Sequence, residues 1–368
     1  MNAHVGRAFE RIALVRLSAI GDVVMALPAL EALRLAHPQA HIAWVVEKRA
    51  SNVLLGHPSL DEIIEFPRLR TIRKESRWGF LAAAASLLQL RRELRKRRFD
   101  VALDFQGNLK SGLCTWATGA PLRIGYPRSV CREPNWLFTN HRVDLNGQEL
   151  HRMQSDLLVA AAAGAEPYHL RPKVAFSDQD RVPGDQCIQG DSAFDRHQVL
   201  LHPGTSDFMP HKRWPLNNYA RLGEHLYRTK NVRLLLSWGP GEQSMVADLA
   251  SELSSLGVPS EVIPDTPSMK SLGYLMSKCH LVVGSDTGPV LLAVALAVPV
   301  ITLLGPGDPR HYHPFGHPDR AFYRRVACSP CRHRTCAPRD CMSGIEPHTV
   351  AEKAVQILES ITLRSPGS

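Results

Sequence analysis

Two short apolar runs in this chain break into a glycine–acid turn and then into an apolar, helix-like stretch. They are Leu14-Val15-Arg16-Leu17-Ser18-Ala19-Ile20-Gly21-Asp22 and Leu281-Val282-Val283-Gly284-Ser285-Asp286-Thr287-Gly288. Where a parallel strand ends and a helix begins, unpaired backbone N–H groups point outward, attract anions and favour an ionised carboxylate. Asp22 is therefore a candidate general base for activating an alcohol. The plainer alternative, for Asp22 as for Asp286, is a helix cap, which stabilises by about 0.5–2 kcal/mol. A second constellation starts at His202-Pro203-Gly204-Thr205-Ser206, with Lys212 a few residues on and Trp214-Pro215 opening the next helix. Thr205 and Ser206 offer hydroxyl and backbone donors to phosphate oxygens, and Lys212 offers a full positive charge to a departing diphosphate, unless it is an ordinary surface lysine. Trp238-Gly239-Pro240-Gly241-Glu242 is a further turn, whose Glu242 can accept hydrogen bonds from a ribose. Three strand ends with polar, glycine-rich turns in one half of a chain are more than packing requires.

The elements that would position these groups follow an alternating pattern. Residues 11–17 and 41–46 read as buried strands around a helical stretch, Val23 to Ala36, and Val101 to Phe105 reads as a later strand of the same sheet. Pro28 predicts a kink or a delayed helix start. Between Pro167 and Arg196 apolar periodicity fades into a polar stretch with Pro172, Pro183 and Gly184, which reads as a linker. Beyond it come strands near 199–202, 232–237, 260–263, 281–284 and 299–304, separated by helices near 216–229, 242–255, 268–278 and 288–297. The pattern predicts an α/β protein of two doubly wound parallel sheets, one in residues 1–180 and one in residues 181–368. No fixed-period repeat is present, and no G-x-G-x-x-G, Walker A or H-E-x-x-H motif supports a dehydrogenase, P-loop or zincin reading.

At 368 residues and 44% hydrophobic content the chain can bury two cores. Its first ten residues have no apolar h-region, and its longest apolar stretch, Val290 to Leu304, is too short to span a bilayer and contains Pro299, so neither secretion nor membrane spanning is expected. The net charge of +9 suits an acidic partner. Much of it lies in two clusters of the first third, Arg68, Arg70, Arg73, Lys74 and Arg77, then Arg91, Arg92, Arg95, Lys96, Arg97 and Arg98; the second reads equally well as a solvated helix face. Eight cysteines in such a chain indicate a reducing cytoplasm. Four of them, Cys328, Cys331, Cys336 and Cys341, form a C-x2-C-x4-C-x4-C group. They are a candidate zinc site, though without the paired C-x2-C spacing of a standard ribbon, so loose thiols or oxidised pairs are the readier reading.

These residues resemble the heptosyltransferase family of bacterial lipopolysaccharide synthesis, glycosyltransferases of the GT-B fold with two Rossmann-like domains facing across a cleft. The resemblance runs from about residue 11 to about residue 355, and it implies an acceptor-binding domain, 1–180, and a nucleotide-sugar-binding domain, 181–368, with a last helix able to pack back on the first. It rests on Ser18-Ala19-Ile20-Gly21-Asp22 leading to Leu27-Pro28-Ala29-Leu30, on His202-Pro203-Gly204 with Lys212-Arg213-Trp214-Pro215, on Gly284-Ser285-Asp286-Thr287-Gly288-Pro289, and on the cysteine group. It implies an inverting transfer of L-glycero-D-manno-heptose from ADP-heptose to the inner core, on Kdo-lipid A or its monoheptosylated product, at the cytoplasmic face of the inner membrane. Asp22 matches the family's general base and Lys212 its diphosphate lysine; Thr205, Ser206, Glu242, Asp286, Thr287 and Gly288 match donor-site positions. Because that lysine and a helix dipole stand in for a metal, the resemblance implies no required cofactor. Arg68, Arg70, Arg73 and Lys74 resemble a segment that grips acidic acceptor sugars, and Arg132-Glu133-Pro134 resembles a motif of the enzyme adding the first heptose, whereas the cysteines are more a feature of the second. One departure concerns the donor: Leu291 stands where the family usually has histidine.

Three readings compete. The transferase needs both nucleotide sugar and lipid acceptor; a related enzyme on the same fold would use another nucleotide sugar, or would epimerise or hydrolyse one without any acceptor. A nucleic-acid-binding protein would bind generic DNA or RNA with strong salt dependence, but few aromatics interleave the arginine runs, and no nucleic acid partner is expected.

Overall fold

The computed structural model describes residues 8–67, 77–131, 133–145, 147, 149–166, 172–188, 196–205, 209–331, 333, 336 and 338–361, with the backbone alone for 77–84. Contacts divide the chain into two compact units, Met1–Ala175 and Phe176–Ser368.

The first unit holds a six-stranded parallel sheet. Its strands are β1 (Arg11–Val15), β2 (His41–Glu47), β3 (Glu62–Phe66), β4 (Val101–Asp104), β5 (Leu122–Gly125) and β6 (His141–Arg142), in the order β3-β2-β1-β4-β5-β6. Ile12, Ala13, Leu14 and Val15 of β1 are all fully buried, because helices cover both faces of a parallel sheet and demand an unbroken apolar run rather than alternation. The helices are α1 (Ile20–Met25), α2 (Leu27–Ala36), α3 (Lys48–Ser51), α4 (Arg77–Lys96), α5 (Leu109–Ala117) and α6 (Arg152–Ala161). The helical stretch after β1 is broken at Ala26, and Pro28 lies in the first turn of α2, where its missing N–H costs nothing. A delayed helix start is thus what the proline produces.

In the second unit the strands are β7 (Gln198–His202), β8 (Arg233–Leu236), β9 (Ser260–Val262), β10 (Leu281–Ser285), β11 (Val300–Leu303) and β12 (Ala321–Phe322). Their order, β12-β11-β10-β7-β8-β9, repeats that of the first sheet, and every pairing is parallel. The helices are α7 (Asp178–Ile188), α8 (Leu216–Lys230), α9 (Gln243–Ser255), α10 (Met269–Met276), α11 (Gly288–Ala295), α12 (Pro309–Tyr312), α13 (Asp340–Ser343) and α14 (Pro347–Glu359). Both units are Rossmann-like, doubly wound sheets. In each, two central neighbours send their chains off in opposite directions: β1 and β4 in the first, β7 and β10 in the second. Loops leaving such a pair diverge and open a crevice at the carboxyl ends of the strands, where ligands bind.

One stretch differs from the sequence reading. The stretch read as a linker contains α7, which docks on α10, with Gly184 packed closely against Tyr274 and with polar contacts beside it. Asp180 pairs with Lys270 at 3.2 Å and accepts from Ser268 Oγ at 3.0 Å, while Tyr274 Oη donates to Asp185 at 2.9 Å. The last helix, α14, packs on α8 and places Val350, Ala351, Ala354, Ile357 and Leu358 in the second unit's core beside Val199, Trp214 and Leu281. Among the described residues no helix is long and apolar enough to cross a membrane.

Candidate active site

Asp22 lies at the mouth of the β1/β4 crevice, on the third residue of α1. It is not the cap residue: the cap position is Ala19, which has no side-chain acceptor, and Asp22 Oδ2 reaches back to accept the Ala19 N–H at 3.3 Å. Its Oδ1 is paired with Arg16 Nη2 at 2.9 Å, with the Asp22 side chain 28% exposed and that of Arg16 only 2%. The loop below is tied across the sheet, since Gln106 after β4 accepts the Leu17 N–H at 2.7 Å. Asp104 is buried and fully engaged, with the N–H groups of Gln106 and Gly107 on one oxygen and Thr115 and Asn135 on the other.

A buried polar group stands behind Asp22. Arg16 Nη1 and Arg152 Nη2 both donate to the carbonyl oxygen of Phe105, and the hydroxyl of Tyr126 donates to Asp156, which is fully buried. Arg152 Nε lies 3.8 Å from Asp156 Oδ1, and the Arg152 guanidinium stacks 5.0 Å from the Tyr126 ring centre. Burial pushes the Asp22 carboxyl up, but the charges of Arg16 and Arg152 and the hydrogen bonds from Ala19 and Arg16 hold it, on balance, below the ordinary aspartate value. For Asp156 burial prevails and its carboxyl is raised; burial also raises the Tyr126 hydroxyl well above its ordinary value. None of Arg16, Arg152, Asp156 and Tyr126 was singled out from the sequence, although a charged residue inside the run Leu14-Val15-Arg16-Leu17 is itself a signal that a partner is needed.

In the second unit β7 and β10 deliver the other candidates. His202 ends β7, is buried and hydrogen-bonds Ser237 Oγ through Nδ1 at 2.9 Å. Burial lowers its pKa to about 4, so it is a neutral structural ring and not an anion-binding cation. Gly204 leaves room for the Glu242 side chain: a Cβ built on it would lie 1.9 Å from Glu242 Oε2. Glu242, buried, accepts the Gly239 N–H at 2.8 Å and pairs with Arg213 Nη2 at 3.5 Å. Thr205 is also buried; its hydroxyl donates to Met209 O at 3.0 Å and accepts from Arg213 Nε at 3.2 Å. Arg213 therefore links Thr205 to Glu242.

Lys212 and Asp286, 74 residues apart, meet at 2.8 Å, with side chains 16% and 6% exposed. Ser285 Oγ fixes the lysine backbone by donating to Lys212 O at 2.7 Å. Thr287 is the cap residue of α11, and its hydroxyl is buried with no hydrogen-bond partner among the described residues. Gly288 opens α11, followed at once by Pro289, so the amino end of that helix is formed from backbone rather than bulky side chains. Ser206, Arg68, Arg70, Arg73, Lys74 and Arg132 lie outside the described residues. In the second basic cluster, Arg97 is paired with Glu62, Lys96 with Glu93, and Arg91 stacks 3.7 Å over Trp116, which is the behaviour of a solvated helix face.

Cys328, Cys331, Cys336 and Cys341 are free thiols that run from exposed to buried. Burial, then the neighbouring Cys336, Cys328 and Cys331, push the Cys341 thiol up. Among the described residues no group of three or more His, Cys, Asp or Glu is placed to hold a metal ion, so the zinc reading gains no geometry.

The model of glycosyltransferase family 9 (heptosyltransferase) matches residues 87–341. Lipopolysaccharide heptosyltransferase 1 of Salmonella typhimurium is 28% identical over 345 residues, 93% of this chain and 99% of its own. The lipopolysaccharide core heptosyltransferase OpsX of Haemophilus influenzae is 25% identical over 312 residues, 84% of this chain and 83% of its own. Among solved structures, Escherichia coli ADP-heptose lps heptosyltransferase II shares the fold with a TM-score of 0.71 at 20% identity, over 95% of this chain and 99% of that one. The E. coli heptosyltransferase WaaC with ADP gives 0.68 at 25% identity, over 94% and 99%. With two Rossmann-like units and a family match over most of its length, the chain belongs to glycosyltransferase family 9 and is a glycosyltransferase.

Proposed function

We propose that the protein transfers L-glycero-D-manno-heptose from ADP-heptose to the inner core of lipopolysaccharide, with inversion at the anomeric carbon. The observation that carries the reading is Asp22, an ionised carboxylate half-open to solvent at the sheet crevice of the first unit, with Oδ1 clamped and Oδ2 more loosely held. As the acceptor hydroxyl attacks, its oxygen forms the new bond to the anomeric carbon, its proton passes to Asp22, and the bond to the diphosphate breaks to release ADP. A carboxylate of low basicity suits a proton that becomes acidic only as the bond forms. Lys212 supplies positive charge to the departing diphosphate, sharing its three N–H donors between phosphate oxygens and Asp286. The unengaged Thr287 hydroxyl and the amino end of α11 add donors, and Glu242 accepts from the ribose. In this reading the lysine and the helix end do the work of a metal, and no cofactor takes part. The lipid acceptor places the reaction at the cytoplasmic face of the inner membrane.

Support comes from relatives that are named lipopolysaccharide heptosyltransferases, and from a neighbouring fold solved with ADP. A second reading, transfer of a different sugar, rests on Leu291, a buried aliphatic side chain on α11 where the family's histidine would offer a polar contact. The deciding assay scores ADP release from ADP-heptose with Kdo-lipid A or its monoheptosylated product, with and without EDTA. ADP release only in the presence of one acceptor, unchanged by EDTA, is expected. Release without acceptor, or turnover only with another nucleotide sugar, would replace this reading with one of its rivals.

A further inference from the structure

We infer that Arg16 is the positioning residue of Asp22, and that Arg152 and Asp156 form a counterweight that sets how strongly Arg16 acts on it. The inference rests on Asp22 being the base.

The guanidinium of Arg16 is almost wholly removed from water, and a buried charge persists only where partners hold it. Its fork has two tasks. Nη2 holds Asp22 Oδ1 at 2.9 Å, while Nη1 donates to the carbonyl of Phe105 just beyond β4. The guanidinium thereby spans the exits of both central strands and fixes the carboxylate by one oxygen, leaving the other, among the described residues, with a single 3.3 Å bond from Ala19. The backbone of Arg16 is pinned as well, by Arg16 N to Val45 O at 3.3 Å and by Trp44 Nε1 to Arg16 O at 3.2 Å. A lysine would keep the charge but lose the planar fork that joins the two strand ends.

The counterweight comes from α6. Arg152 donates to the same Phe105 carbonyl, so two cations converge on one oxygen, and two carboxylates, Asp22 and Asp156, offset them. Loss of the Asp156 charge leaves both guanidinium groups acting on Asp22 alone. Other charged groups on neighbouring elements are spent or turned outward: Glu47 pairs with Lys110, and Lys48 and Arg49 of α3 are exposed. Arg16 and Arg152 are the charges that hold the Asp22 carboxyl down, and Asp22 in turn raises that of Asp156.

The test combines the pH profile of kcat/KM with an NMR titration of Asp22 in protein labelled with 13C at aspartate carboxyls, which needs no turnover. In R16Q the acidic limb and the Asp22 titration both move to higher pH; in D156N both move to lower pH. R16K keeps the limb near its original position but loses about 10²-fold in kcat, as a misplaced base does. Opposite movements in R16Q and D156N are the signature, since general loosening would drive both the same way. Should R16Q fail to fold, R152Q replaces it, with the same upward direction. An Asp22 titration unmoved in these variants, or moved in one direction by both, overturns the inference. Opposite NMR shifts in a protein that does not turn over ADP-heptose would leave the clamp standing and remove the heptose-transfer reading instead.

Discussion

Replacing Gly204 by alanine tests the geometry of the second unit with a single methyl group. The backbone there is not left-handed, so the new residue brings no conformational strain, and the whole effect is steric. Its Cβ would sit 1.9 Å from Glu242 Oε2, 2.5 Å from Cδ and 2.7 Å from Oε1. The carboxylate must retreat by roughly an ångström or more to reach ordinary contact, which breaks the 2.8 Å bond from Gly239 N and disturbs the Arg213 pair. A hydrogen bond to a charged group contributes about 1.5–3 kcal/mol, and Glu242 has little solvent to fall back on, so a loss of about 2–3 kcal/mol is expected. For a unit of this size that corresponds to a midpoint lower by roughly 5–10 °C. Denaturation followed by tryptophan fluorescence, with Trp214 and Trp238 as reporters, measures it. Calorimetric titration with ADP should show affinity reduced about 10–100-fold if Glu242 also serves the ribose. The decisive control is G204A/E242D, in which an acid one methylene shorter clears the methyl group and recovers much of the stability. A G204A protein as stable as the parent and with full ADP affinity would refute the placement of Glu242 on Gly204.

The same geometry sets further expectations. D22A should lower turnover about 10²–10⁴-fold with ADP affinity unchanged, and near-normal turnover would remove Asp22 from the chemistry. K212A takes the lysine from a largely buried carboxylate and should destabilise the second unit by about 3 kcal/mol, whereas K212A/D286N should regain much of that stability and none of the activity; equal stability of the two variants would count against the ion pair. His202 is held neutral in the fold, with a pKa of about 4 against an ordinary 6.5. Between those values the unfolded chain binds a proton that the folded chain refuses, so stability is full above pH 6.5 and falls on acidification by up to about 3 kcal/mol. Comparing denaturation at pH 7 and pH 4.5 in the parent and in H202Q isolates this, and an equal loss in both would exclude the histidine as its source.

What could be read from the sequence depended on whether the governing contacts were local. Buried parallel strands such as Leu281–Ser285 need uninterrupted apolar runs, so the alternation of the second unit was plain, and Pro28 announced the break between α1 and α2. Helix α7 was missed because polar contacts of Asp180 and Asp185 to a helix about ninety residues away hold it, despite Pro183 within it. The same contrast holds at the sites. Asp22 and Asp286 stand in turns that any α/β reading flags, but Arg152 and Asp156 are spaced i, i+4 on a helix, a pattern indistinguishable from an exposed surface pair until the fold buries it. Lys212 was marked for its charge, yet nothing near it in the chain foretold its meeting with Asp286.

The placement of α14 bears on how the chain matures. The first unit is complete by Ala175, whereas the second draws Val350 to Leu358 into the same apolar interior as β7, some 150 residues earlier. During synthesis, at about 5–20 residues per second, the front half can therefore consolidate while its successor waits for the final turns of helix to emerge. For roughly ten seconds or more the part of that apolar interior which α14 closes stands open, an exposure confined to the nascent chain.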